Sequence, residues 1–333
     1  MSTTLRILLS QQSIDRLGAS ISAVMGPRPY ELIALEQAVA AQRTDADVAF
    51  ISREVTGTST KHEIHPALQR VYTLLRQSPA LRWVHIHSAG ADRQIYLDLM
   101  ARGVQVSTSS GANAQVVATV ALAGILALAR RFPLLWAEQQ IRQWLPMMGA
   151  RMPRDLPGQT ATIVGWGPIG QKLGSLLQAL GMDVVAVRQQ VPPMPDATNV
   201  AMVSFGDWQQ VLPQTDWLIL ACPLTPKTRQ LVSSQALALL PPGAHVVNVA
   251  RGEVVDEGAL VAALQSGHLG GAFLDVFAHE PLPHDSPLWT LPQVMVTPHA
   301  AGHSDGNEAR VGLIFVDNLR CWTQGVPLRN TVA

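Results

Sequence analysis

Cysteine is nearly absent. The chain holds Cys222 and Cys321 alone in 333 residues, too few for a disulfide framework. Charged residues make up 14%, and Lys plus Arg equal Asp plus Glu at 24 each, so the basic excess that draws nucleic acid or an anionic membrane is missing. A small solute is the better partner. No Cys-x-x-Cys pair occurs, the His-x-x-x-His spacing of His299 and His303 carries no acidic residue between them, and His85 and His87 alternate along one strand without a recognisable third ligand; no metal is expected. The most apolar stretch, "VVATVALAGILALA" at 116–129, is interrupted by Thr119 and Gly124 and falls short of the roughly 20 residues of a bilayer span. It reads as part of a buried helix over about 113–131. The opening "MSTTLRILLSQQS" lacks a basic segment followed by a long apolar run and a small-residue cleavage site, so no secretion signal is read and a cytoplasmic location is expected.

What the chain has is apolar mass: 47% of residues are hydrophobic, enough at this length for two domains. "LRILL", "DADVAFIS", "LRWVHIHS" and "GVQVST" are strand-like, with the helical "HPALQRVYTLL" among them. A connection, "WLPMMGARMPRDLPG", precedes a second series: "TATIV", "DVVAV", "DWLILAC", "AHVVNVA", "GAFLDVF" and "VMVT". Continuous apolar strands separated by helices predict an α/β fold whose parallel sheet is covered on both faces.

"TATIVGWGPIGQKLGSLLQALGMDVVAV" contains Gly165, Gly167 and Gly170 as Gly-x-Gly-x-x-Gly. The spacing alone says little, but here a strand precedes it, and Ile169, Leu173, Leu176, Leu177 and Leu180 mark one face of a following helix. Glycines permit a tight turn and close approach of a pyrophosphate to a helix N-terminus, so a nicotinamide dinucleotide is expected. An acid at the end of the second strand would hold a ribose 2′-hydroxyl. Asp183 stands at the wrong end of that strand, and Arg188, followed by Gln189, occupies the right one. A guanidinium there pairs with a 2′-phosphate, so NADP is preferred and NAD possible.

Ligands of an open parallel sheet bind outside the carboxyl ends of its strands. Those ends read "ACPLT", "VARG", "DVFAHEP" and "TPHAAG", which collects Arg251, Asp275, Glu280 and His299 at one rim. A histidine exchanges the proton of a hydroxyl or carbonyl oxygen near neutral pH, a carboxylate beside it favours imidazolium, and an arginine binds a carboxylate and polarises the adjacent carbonyl. Taken singly each has a bland reading, as a solvated histidine, a loop carboxylate or a helix-flanking charge. Together they suit interconversion of a 2-oxo acid and a 2-hydroxy acid.

"VGWGPIG", "CPLTPKT", "VNVARGEVVDEGAL", "LDVFAHEPLP", "SPLWTLPQVMVTPHAAGH" and "NLRCWTQGVPLRN" resemble, in order and spacing, the D-isomer-specific 2-hydroxyacid dehydrogenase family. Weaker agreement runs forward through "LRWVHIHSAGADR" and "GVQVSTSSGANAQVVATVALAGILALARR". The resemblance implies that Arg251, Glu280 and His299 are catalytic. It implies that Ser88, Ala89 and Gly90 hold the substrate carboxylate beside Arg251 and His299. Cofactor contacts are implied at Trp166, Pro168 and Ile169 in the glycine loop, and at Cys222, Pro223, Thr228, Ala250 and Asp275. It also implies a flavodoxin-like substrate domain, 1–108 plus 305–333, around a Rossmann nucleotide domain, 109–304, and a homodimer. Arg188 in place of an acid resembles the NADPH-using glyoxylate and hydroxypyruvate reductases, which makes a small 2-oxo acid of that type the expected substrate. The alternatives are an NAD-linked dehydrogenase of a larger D-2-hydroxy acid, for which Trp144, Met147 and Met148 would line an apolar pocket or only pack the connection, and a dinucleotide-sensing regulatory protein. Thr119 replaces the glutamate of many relatives, a difference with no account.

Overall fold

The computed structural model describes residues 4–191 and 200–332. Pro192, Pro193, Met194 and Pro195, a few residues beyond Arg188, lie outside them. The chain divides into two compact units, Met1–Ala112 with Ser304–Ala333, and Asn113–His303.

The first unit carries a parallel sheet of β1 (Leu5–Leu9), β2 (Tyr30–Ala34), β3 (Val48–Ile51), β4 (Trp83–Ile86) and β5 (Gln105–Thr108). Its order is β2-β1-β3-β4-β5, the flavodoxin arrangement. β3 and β4 are buried throughout, which is why they read as apolar runs. The helix Asn307–Gln324 returns to this unit: Phe315 stacks on Phe50 with ring centroids 4.6 Å apart, and Glu308 pairs with Arg16 at 2.7 Å. The end of the chain therefore completes the core that its beginning starts.

The second unit carries β6 (Thr160–Val164), β7 (Asp183–Arg188), β8 (Ala201–Ser204), β9 (Trp217–Leu220), β10 (Ala244–Asn248), β11 (Leu269–Leu274) and β12 (Val294–Val296). All pairings are parallel, and the order β12-β11-β10-β9-β6-β7-β8 is the doubly wound nucleotide-binding topology with one strand added. The expected long helix is Ala114–Ala129. It stops because Arg131 adopts a left-handed conformation (φ 56°) that opens a second helix, Phe132–Gln140. Among the described residues, no single helix is long and apolar enough to cross a membrane.

Candidate active site

The rim of the larger sheet is assembled by short links between consecutive strand ends. After β10, Asn248, itself buried, braces the turn at both sides: its Oδ1 accepts from the Ala250 N–H at 3.0 Å and its Nδ2 donates to the Arg251 carbonyl at 3.1 Å. Arg251 donates from Nη1 to the Ala250 carbonyl at 2.7 Å. Gly252 follows because nothing larger fits: a Cβ there would lie 1.8 Å from the Phe277 carbonyl carbon and 2.3 Å from Ala278 N. This close approach brings the Arg251 turn against the loop after β11.

That loop carries Glu280. Its Oε1 accepts from the Phe277 N–H at 3.2 Å, and its Oε2 lies 2.8 Å from His299 Nδ1. Glu257, at the start of the next helix, accepts the Ala278 N–H at 2.9 Å and so anchors the same loop. Burial alone would push the Glu280 carboxyl up, but the hydrogen bond and charge of His299, the Phe277 N–H and the charge of Arg251 together hold it below its ordinary value.

His299 sits in the left-handed region with φ 50°, costly for a side-chain-bearing residue unless its surroundings over-determine it. They do. The His299 N–H donates to the Asp275 carbonyl at 2.8 Å. The Asp275 carboxylate accepts from Thr297 Oγ1 at 2.6 Å, Ala300 N at 2.8 Å and Ala301 N at 3.0 Å. Asp275 is 2% exposed; burial raises its pKa against the pull of those donors and of His299. Glu280 Oε2 lies against Nδ1, so Nε2 is the ring nitrogen turned away from the carboxylate. Half of the His299 side chain is exposed, whereas that of Glu280 is mostly covered.

The glycine loop lies at the same edge. Gly165 has φ 105°, and a Cβ there would meet the Ala221 carbonyl and Cys222 Cα at 2.7 Å; one on Gly170 would lie 2.1 Å from the Gly165 oxygen. Gly167 caps the helix Pro168–Ala179 without a side-chain bond, and a Cβ on it would meet nothing within 4 Å. The result is an open helix N-terminus that suits a pyrophosphate. Ile169 is half-buried and Pro168 exposed on its first turn. Arg188 ends β7, half-exposed, with Gln189 exposed beside it, while Asp183 lies at the opposite end. The Gly165 N–H donates to the Val187 carbonyl at 2.8 Å, which ties the loop to the Arg188 strand end.

Residues 122–301 match D-isomer specific 2-hydroxyacid dehydrogenase, NAD binding domain. The chain belongs to this family. It is similar to a (S)-sulfolactate dehydrogenase from Chromohalobacter salexigens, 36% identical over 74% of this chain and 79% of the relative. A glyoxylate reductase from Korarchaeum cryptofilum is 32% identical over 74% and 75%. Among solved structures, a D-isomer specific 2-hydroxyacid dehydrogenase from Xanthobacter autotrophicus Py2 in complex with NADPH and MES is similar with a TM-score of 0.75 and 27% identity, covering 99% of this chain and 98% of that one. The chain spans about half, 46%, of the D-3-phosphoglycerate dehydrogenase of Mycobacterium leprae that it also matches. This is an NAD(P)-dependent 2-hydroxyacid dehydrogenase, or 2-oxoacid reductase, with an NAD(P)-binding domain.

In this dehydrogenase several residues that the resemblance assigns to the cofactor have side chains engaged elsewhere. Trp166 is 6% exposed and its indole lies against Gly174. The Thr228 hydroxyl donates to the Pro223 carbonyl at 2.7 Å and accepts from the Thr225 N–H at 2.8 Å, pinning the "CPLT" loop. Cys222 is 4% exposed, and burial pushes its thiol up to about 11. Ala250 is buried and Pro223 exposed. In the first unit Ser88, Ala89 and Gly90 follow β4; Ser88 Oγ closes the loop by donating to the Gly90 carbonyl at 2.8 Å. Asn248, Glu257 and Thr297 escaped the sequence reading. Only the acidic helix start at Glu257 had a local signal, a carboxylate in the first turn.

Proposed function

We propose that the chain transfers hydride from NADPH to a small 2-oxo acid, of glyoxylate or hydroxypyruvate type at its reacting end, giving the D-2-hydroxy acid where the product is chiral. The observation that carries this reading is the 2.8 Å contact of His299 Nδ1 with Glu280 Oε2 at the rim that also holds Arg251. The nicotinamide, when bound, supplies the hydride. His299 gives the proton from Nε2 to the oxygen at C2 as it gains charge, and Glu280 stabilises the imidazolium that makes this donation available. Arg251 clamps the carboxylate and polarises the carbonyl; the N–H groups of Ser88, Ala89 and Gly90 in the first unit are assigned to carboxylate binding by the resemblance alone. Asp275 fixes the backbone that aims His299. Arg188 pairs with the 2′-phosphate, which favours NADPH over NADH.

The test is the initial rate of NADPH and NADH oxidation with glyoxylate, hydroxypyruvate, pyruvate and a bulky 2-oxo acid, repeated with His299→Ala. Turnover with NADPH that His299→Ala abolishes while nucleotide still binds supports the reading. Turnover confined to NADH overturns the cofactor assignment, and none with bound nucleotide overturns the reaction. We also propose a homodimer: Trp136, Ile141, Trp144, Met148 and Met152 are all exposed within one short segment of the chain, apolar surface that a second copy would cover. A monomer mass by sedimentation would exclude it.

A further inference from the structure

His85 and His87 alternate along β4, and the proposed reaction uses neither. His85 is completely buried, set among the rings of Phe50, Trp83 and Phe315 at centroid distances of 5.8, 6.2 and 5.7 Å. Both of its ring nitrogens are nevertheless engaged: Nδ1 lies 2.8 Å from Ser107 Oγ and Nε2 3.1 Å from Ser109 Oγ. Ser107 stands opposite His85 on β5, and Ser109 follows two residues on. Burial, with the charge of His87 as a lesser cause, pushes the His85 ring down to about 3, so near neutral pH it carries a single N–H. The partners decide which nitrogen has it.

An indole N–H can only donate, a hydroxyl has one hydrogen to give, and a carbonyl only accepts. Trp83 Nε1 donates to Ser107 Oγ at 2.8 Å, and Ser109 Oγ donates to the Ile86 carbonyl at 3.0 Å. With the His85 proton on Nε2, Ser107 gives its hydrogen to Nδ1, Nε2 gives to Ser109, and Ser109 gives to Ile86, so every donor has an acceptor. With it on Nδ1, Ser107 Oγ receives two N–H groups while its own hydrogen finds no acceptor among the described residues, and Nε2 competes with the Ile86 carbonyl for the one hydrogen of Ser109. Unmet polar groups in so buried a place are costly, so the chain runs one way, from Trp83 to the carboxyl end of β4. There it meets the loop 88–90. The Ser109 N–H donates to the Ser88 carbonyl at 3.0 Å while its hydroxyl holds Ile86, so one residue grips the chain on both sides of His87, and Ser88 Oγ closes the loop on the Gly90 carbonyl at 2.8 Å. We infer that His85, held as the Nε2–H tautomer, is a positioning residue: through Ser109 it fixes the direction in which the loop 88–90 leaves β4, and with it the N–H groups offered to a carboxylate. The effect on substrate rests on the carboxylate role proposed above for that loop; the tautomer and the grip on Ser88 stand apart from it.

The test uses Ser107→Ala and Ser109→Ala in the whole chain. The Ser107 side chain reaches the loop through His85, so the pair separates transmission along the chain of hydroxyls from a local effect of Ser109. Nitrogen-15 NMR with labelled histidine should show wild-type His85 protonated at Nε2 and bare at Nδ1. Amide exchange at Ser109, whose N–H holds Ser88, should quicken about fivefold or more in Ser107→Ala, the worth of one hydrogen bond. In turnover, both variants should raise the KM for glyoxylate about 5- to 10-fold, with kcat and the KM for NADPH within about twofold of wild type; the retained NADPH affinity reports that each variant is folded. A proton on Nδ1, or on both nitrogens, near neutral pH overturns the inference. So does unchanged Ser109 exchange in Ser107→Ala, a KM shift confined to Ser109→Ala, or a fall in kcat and NADPH affinity in step with the rise in KM. Faster Ser109 exchange with an unchanged KM for glyoxylate supports the grip on Ser88 and overturns the carboxylate role of the loop. Absence of wild-type turnover with every 2-oxo acid overturns the reductase reading, and the two NMR measurements then decide the positioning role by themselves.

Discussion

Gly252→Ala is the sharpest probe of how the rim is built, because it adds one methyl group and no charge. The new Cβ would stand 1.8 Å from the Phe277 carbonyl carbon, 2.0 Å from its oxygen and 2.3 Å from Ala278 N. Carbon contacts at rest lie about 3.5–4.0 Å apart, so the Arg251 turn and the Phe277–Ala278 backbone must separate by well over an ångström. Neither side yields cheaply. The Ala278 N–H is held by Glu257 at 2.9 Å and the Phe277 N–H by Glu280 at 3.2 Å, so displacement of this backbone carries Glu280, and through it His299, away from Arg251. Overpacking of this kind costs about 1–3 kcal/mol of stability, and a misplacement of about 1 Å costs on the order of 100-fold in rate. The assay is kcat with NADPH and the best 2-oxo acid, beside a thermal melt and nucleotide binding by fluorescence. We expect a folded protein with bound nucleotide and kcat down about 100-fold. Gly258→Ala is the control: its Cβ would meet Asp256 Oδ1 at an ordinary 3.6 Å, and activity should be unchanged. A Gly252→Ala enzyme within twofold of wild type would refute the claim that this close approach sets the catalytic geometry.

Two further outcomes follow from the charges at the site. The Glu280 carboxyl lies below its ordinary 4.5 in the folded chain, so its ionised form contributes stability that is fully present above that value and lost as pH falls through the lower folded one. The gap in unfolding free energy between wild type and Glu280→Gln should therefore close as pH falls below 4.5 through the lower folded value; denaturant melts across the acid range would contradict this if the gap widened there. Arg188→Ser should raise the KM for NADPH about tenfold or more, the worth of a charge-assisted pair, and leave that for NADH near wild type. Equal changes for both nucleotides would show that Arg188 does not read the 2′-phosphate.

What could be read from the sequence, and what could not, follows from where the information is stored. β3, β4, β9 and β10 are buried along their whole length or nearly so, so each writes itself as an apolar run. Tyr30–Ala34 and Ala201–Ser204 were missed because both are edge strands, half-exposed over most of their length, and an edge strand needs no continuous apolar run. The rim residues were legible for a different reason. A parallel sheet puts its ligand at its carboxyl ends, so reading only those ends places Arg251, Asp275, Glu280 and His299 on one edge without any knowledge of strand order. Their mutual geometry was not legible. Gly252 gives a local hint of close approach, but the backbone it approaches, at Phe277, is fixed by the pairing of β10 with β11. Asp275 shows the limit most clearly: the resemblance offers it as a cofactor contact, and nothing in its sequence position says that its carboxylate also accepts from Thr297, Ala300 and Ala301. Those donors come from the turn after β12 that bends His299 into its left-handed conformation. A buried acid at a strand end thus builds the site by holding backbone, and that role is encoded in the spacing of two loops rather than in any single motif.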